Sequence, residues 1–196
     1  MTPAARLALI ASFFILAIGL AVFGAILTFT QRPGSVTQAS ALGGPFRLID
    51  QDRTPVDERI LQGRTTLLFF GFTHCPDVCP TKLFEIAQTM QRLGADSDRV
   101  NVVLISVDPE RDTPELLKTY LAGFDPRFRG LTGTPEEIAA VTRAWRAYYR
   151  KVPLEGGSYT VDHTAAVYLI DREGRFVSTL DVTDPDRAAA TLRARL

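Results

Sequence analysis

Four thiol and imidazole side chains in this chain of 196 residues could bind a soft metal or take part in redox chemistry: Cys75, Cys79, His74 and His163, which are all of its cysteines and histidines. Three of them fall in one stretch, Gly71-Phe72-Thr73-His74-Cys75-Pro76-Asp77-Val78-Cys79-Pro80. If one helical turn holds both Cys75 and Cys79, four residues apart, their sulfurs share a face. At the head of a helix the unpartnered N–H groups and the dipole favour a thiolate, which lowers the thiol pKa and makes a better nucleophile and ligand. Thiolate pairs suit soft ions, above all Cu(I), whereas Ca²⁺ and Mg²⁺ require oxygen donors. The cysteines alone leave three readings open. Two cysteines in an extracytoplasmic domain most often close a structural disulfide, although so short a loop constrains the unfolded chain little. The others are a redox dithiol, with three residues between the cysteines rather than the two of the thioredoxin type, and a metal pair.

His163 bears on the third reading. A lone histidine is more often structural, but two thiolates and one imidazole would make a trigonal copper site, with Asp162 or a backbone carbonyl orienting the ring through its other nitrogen. Structural zinc would want a fourth protein ligand, and no further cysteine exists to supply it. His74 points away if the preceding strand continues, and so serves at most to tune the thiol. Asp77, between the cysteines, is either a helix N-terminal carboxylate or a group supporting the site. Asp108 opens Asp108-Pro109-Glu110-Arg111-Asp112, which is either a salt-bridged loop capping the next helix or a charged rim that docks a partner or supports the metal.

The elements that must position these groups follow from hydrophobic period. Phe46 to Val56 suggests a hairpin leading in, and Leu67 to Phe70 is a continuous apolar run, the mark of a strand buried on both faces. A helix is expected from about Pro80 to Leu93, stopping at Gly94, then a buried strand from Val100 to Val107. Thr113-Pro114-Glu115 starts another helix, Phe128 to Leu131 is a short segment, and Thr134-Pro135-Glu136-Glu137 has capping-box spacing. Arg146 to Thr160 reads as a polar connecting excursion, which leaves His163 on a loop. A hairpin around Asp171 to Gly174 and a helix from Asp184-Pro185 close the chain. The expected fold is α/β and thioredoxin-like: a central mixed sheet, parallel first and antiparallel last, flanked by helices.

The first thirty residues differ in kind. Leu7 to about Phe29 carries no charge, long enough for a transmembrane helix and longer than the apolar core of a cleaved signal peptide. The expected organisation is a membrane anchor over 1–30, a flexible tether over 31–44 and a thioredoxin-like domain over 45–196. Arg6 and Arg32 flank the span and make the charge bias weak; the short tail is expected inside and the large domain outside. Balanced charge, 22 basic against 22 acidic residues, gives no electrostatic case for a nucleic-acid partner.

Together, the cysteine stretch, Ser106-Val107-Asp108-Pro109-Glu110-Arg111-Asp112-Thr113-Pro114, Gly130-Leu131-Thr132-Gly133-Thr134 and Val161-Asp162-His163-Thr164 resemble the Sco/SenC family of copper-binding assembly factors for cytochrome c oxidase. The likeness runs from about Gly44 to the end of the chain. It implies a thioredoxin-like fold, an N-terminal anchor, and copper, as Cu(I) or Cu(II), bound by Cys75, Cys79 and His163. It further implies work in forming the copper A centre of oxidase subunit II, by copper delivery, by reduction of the target's cysteines or by sensing redox state. The expected setting is a bacterial inner membrane, crossed once, with the domain in the periplasm and a periplasmic copper donor as a second partner.

Overall fold

The structure, a computed structural model, describes residues 42–196 and, ahead of them, Gly19 alone. The expected anchor and most of the expected tether therefore lie outside the described residues, among which no helix is long and apolar enough to cross a membrane. The chain enters through the expected hairpin, β1 (Arg47–Asp50) against β2 (Pro55–Asp57). Its turn is held by the Asp50 carboxylate, which accepts the N–H groups of Asp52 and Thr54, each at 2.9 Å. A 3-10 turn, Glu58–Leu61, leads to β3 (Thr65–Gly71), in which every residue is buried. Burial of each large apolar side chain in such a strand contributes about 1.5–3 kcal/mol, and total burial means both faces of the sheet are covered.

Helix α1 (Val78–Leu93) follows, starting two residues earlier than the sequence pattern suggests. Pro80 sits in its first turn, where a proline's missing N–H is no loss, so the proline marks the inside of the helix start rather than its edge. Gly94 ends the helix with φ 60°. After a 3-10 segment, Gly94–Arg99, come β4 (Val100–Ser106), α2 (Pro114–Ala122), β5 (Arg129–Thr132) and α3 (Pro135–Ala144). Both helices start on a threonine cap, and α3 has the full capping box: Thr134 Oγ1 accepts the Glu137 N–H at 3.2 Å while Glu137 Oε2 accepts the Thr134 N–H at 2.8 Å.

The stretch expected as an excursion is instead a second hairpin, β6 (Tyr149–Pro153) paired with β7 (Tyr159–His163). Its strands pair with each other and not with the main sheet, so they are half exposed and show no clean alternation to read; Gly156 and Gly157, with φ of 84° and 83°, make the turn. Consequently His163 is the last residue of a strand, not a loop residue. Strands β8 (Val167–Ile170) and β9 (Phe176–Leu180) form the expected hairpin and α4 (Pro185–Arg193) closes the chain.

Among the described residues the main sheet has seven strands in the order β2-β1-β5-β4-β3-β8-β9. Its centre, β5-β4-β3, is parallel, and the flanking strands are antiparallel. Helices α1 and α4 pack on each other, α2 lies against β5 and α3 against β1.

Candidate metal centre

The parallel pair β3 and β4 ends in register at Gly71 and Ser106, so the loops that leave these strands emerge side by side at the carboxyl end of the sheet. Asp112, fully buried, ties the loops together. Its carboxylate accepts the Thr73 hydroxyl at 2.6 Å, the Thr73 N–H at 3.0 Å and the Ser106 hydroxyl at 2.6 Å. Cys75 then sits in a turn, its N–H bonded to the Phe72 carbonyl at 3.3 Å, ahead of the helix, and Cys79 is the second residue of α1. The two cysteines thus do not share a helical turn. The Cys79 N–H nevertheless points at Cys75 Sγ, 3.3 Å away. Gly71 leaves room for this arrangement: a Cβ there would stand 3.0 Å from Cys79 Sγ and 2.8 Å from Phe69 Cε1.

His163 arrives from the end of β7. Its Nδ1 lies 3.0 Å from the Thr164 carbonyl, and because a carbonyl only accepts, Nδ1 carries the proton. The lone pair on Nε2 is then free and faces Cys79 Sγ at 3.2 Å. Phe69 and Phe72 meet the imidazole edge-on, with ring centroids 6.0 and 5.7 Å away. Cys75 Sγ, Cys79 Sγ and a His163 ring nitrogen all lie within 4.8 Å of one another.

Burial decides the charge state. It pushes the Cys79 thiol well up, outweighing the backbone hydrogen bond at Phe72, so the helix-head expectation of a depressed pKa fails for Cys79. Burial also lowers the His163 pKa, against the hydrogen bonds to backbone that raise it, and the ring is neutral at neutral pH. The site is therefore a free, protonated Cys79 thiol donating to a neutral imidazole, beside the free, half-buried Cys75.

An open depression of about 410 Å³ gives access to the group, with Cys75, Asp77, Asp162 and His163 in its wall. A larger one, about 500 Å³, lies beside Thr65 and Ile170 at the far end of β3 and has no thiol or imidazole in its wall. Of the other expected residues, Asp77 stands at the α1 N-cap without a capping hydrogen bond. Asp162 pairs with Arg150 at 3.2 Å and does not orient His163; the Thr164 carbonyl does. Asp108 is fully buried, not part of an exposed rim, and accepts the Tyr159 hydroxyl at 2.7 Å and the Arg111 guanidinium. His74 is exposed and turned toward Thr73 and Asp112. It forms a second close group with Asp108 and Asp112, but both carboxylates there already accept protein donors.

Sequence reasoning missed Gly71, the aromatic pair and the tie made by Asp112. Only Asp112 had a usable signal, a second acid in the motif after β4.

The fit of donors to a metal is chemical as well as geometric. Two sulfurs and one neutral ring nitrogen converge at a partly open position, a soft donor set with no oxygen ligand. A helix-flanked mixed sheet carrying this group at the end of its parallel strands is a thioredoxin-like protein with a three-donor thiol and imidazole centre. A model of the family described as SCO1/SenC matches residues 34–196, and the chain belongs to that family.

Its fold is similar to that of Bradyrhizobium japonicum ScoI, solved with copper bound, at 54% identity over 80% of this chain and 100% of that one, with a TM-score of 0.77. It is also similar to BsSco, described as a member of the Sco family of cytochrome c oxidase assembly proteins with a disulfide switch, at 25% identity over 80% of this chain and 94% of that one, TM-score 0.63. The mitochondrial SCO1 homolog 1 of Arabidopsis thaliana is 45% identical over 147 residues, 74% of this chain and 44% of that protein. The chain spans about half the length of the mitochondrial relatives it matches.

Proposed function

We propose that the chain is a membrane-anchored copper metallochaperone for cytochrome c oxidase, carrying copper on Cys75, Cys79 and His163. The observation that supports this best is the convergence of the two sulfurs and the imidazole nitrogen within 4.8 Å. Copper is here a cargo. His163 Nε2 already presents its lone pair, and Cys79 gives up its thiol proton to ligate, so uptake releases a proton. Three protein donors at an open depression leave the ion reachable by ligands of an acceptor, as ligand exchange requires.

The acceptor in this reading is the copper A site of oxidase subunit II, and a periplasmic donor loads the chaperone. An anchor over 1–30 and a tether over 31–44 would hold the domain, 45–196, beside the bacterial inner membrane on its periplasmic side. The test is transfer: the reduced, copper-loaded chain in detergent is mixed with metal-free subunit II domain whose cysteines are reduced. Loss of copper from the chain and its recovery in the re-isolated subunit II domain are expected, the copper A absorption following when the dicopper(I) product is oxidised by one electron. Retention of copper by the chain would contradict the proposal.

A second reading, a thiol-disulfide oxidoreductase acting on the oxidase cysteines, draws on Cys75, the half-exposed thiol, with Cys79 close enough to resolve a mixed disulfide. The two thiols would give two electrons and two protons to the partner's disulfide and close their own. Here His163 is dispensable: His163→Ala should keep thiol exchange while losing copper, and a variant that loses both argues against it.

A further inference from the structure

His163 belongs to a hairpin that shares no strand pairing with the main sheet, so whatever holds the hairpin fixes where the imidazole stands. A lone two-stranded hairpin is marginal in water. Val161 anchors this one in the core, and its directed polar hold comes from the loop after β4. Arg111 Nη1 donates to the Tyr159 carbonyl at 3.0 Å while its Nε donates to Asp108, whose other oxygen accepts the Tyr159 hydroxyl at 2.7 Å. The guanidinium lies 3.8 Å from the Tyr159 ring centroid and 5.8 Å from that of Phe72, the ring that also meets His163. Its remaining nitrogen, Nη2, is buried with no hydrogen-bond partner, an arrangement tolerable beside aromatic faces. Lys151, paired with Glu110 at 2.6 Å, covers the Tyr159 ring at 4.7 Å. Tyr159 begins β7 and His163 ends it, four residues or roughly 13 Å further along the strand.

We propose that Arg111 is a positioning residue for the third ligand: by clamping Tyr159 and Phe72 it holds β7 so that His163 Nε2 stays against Cys79. The role needs an arginine, because two directed hydrogen bonds and a stacked planar face cannot come from an ammonium. The proposal rests on the reading that Cys75, Cys79 and His163 carry copper. If loss of the clamp leaves the imidazole in place about a tenth of the time, affinity falls by up to about tenfold, the binding-competent fraction entering the dissociation constant directly.

The test uses the full chain, reduced and in detergent, as wild type, Arg111→Ala, Arg111→Lys, His163→Ala and the Arg111→Ala/His163→Ala double variant. Cu(I) affinity is read by chelator competition. In the metal-free proteins, ring ¹⁵N shifts of His163 report its tautomer, and amide exchange compares the hairpin with β3 and β4. Arg111→Ala is expected to weaken copper binding about tenfold in the wild type and not at all on the His163→Ala background. It should also average the His163 ring signals and speed hairpin exchange with β3 and β4 unchanged, and lysine should not restore these.

Unchanged ring shifts and exchange, an equal loss of affinity on both backgrounds, or rescue by lysine would each overturn the proposal. A wild type that fails to bind copper refutes the copper reading instead, while the ring and exchange data still decide the clamp. If Arg111→Ala does not fold, Tyr159→Phe removes only the hydroxyl bond to Asp108. Faster exchange at His163 in that variant supports the clamp, and unchanged exchange counts against it.

Discussion

Cys79 stands where two influences oppose each other: the head of a helix favours its thiolate, and complete burial favours its thiol. Burial is the larger and raises its pKa, which is why the resting contact with His163 is a thiol donating to an imidazole. The three donors proposed as ligands were legible, because two cysteines four apart at a helix start and two histidines are all the thiols and imidazoles of the chain. Of what supports them, a backbone carbonyl orienting the ring was one of two alternatives and is the one found, whereas a glycine that makes room leaves no mark in composition. Gly71 is the sharpest case. Gly71→Ala puts a methyl 3.0 Å from Cys79 Sγ, so the sulfur or the strand must shift. Overpacking of this kind costs about 1–3 kcal/mol, and a displaced ligand weakens metal binding by roughly 10- to 100-fold. Thermal melts and chelator competition on the same variant check both.

At the scale of elements, boundaries with a chemical signal were found, except that α1 starts at Val78 and not at Pro80, and those without one were not. The capping box at Thr134, the proline-started helices and the all-apolar strand could be read directly. The β6–β7 hairpin could not, because half-exposed strands that pair only with each other have no buried face to impose a period. Its absence from the sequence reading is what put His163 on a loop. Thr134→Ala removes a cap remote from the cysteines, on α3 against β1, and is expected to cost about 1 kcal/mol, a fall in Tm of roughly 2–4 °C, with copper affinity unchanged. A lower affinity in that variant would mean that α3 is coupled to the site.

At the scale of the whole molecule, charge balance hides local pairing that sets acid stability. Hydrogen bonds from the Arg127 guanidinium are the main reason that the Asp125 pKa is lowered, the side-chain contacts lying at 2.7–3.3 Å. A carboxylate with a lowered folded pKa lends stability above its unfolded value, near 3.9, and loses it as pH falls through the folded one. Asp125→Ala should therefore cost on the order of 1–3 kcal/mol at pH 7, with the gap to wild type narrowing below about pH 4 in urea melts. An anchored chain should stay with membranes after alkaline washing, and release into the wash would contradict the anchor proposed over 1–30. The central claim is that two thiols and one imidazole make a single copper site. It is tested most directly by Cu(I) competition titration of the reduced full chain alongside Cys75→Ser, Cys79→Ser and His163→Ala. The account predicts one tightly bound copper in the wild type and a loss of affinity in each variant of at least the roughly 10- to 100-fold typical of groups one shell further out. Equal affinity in the wild type and all three variants would contradict it.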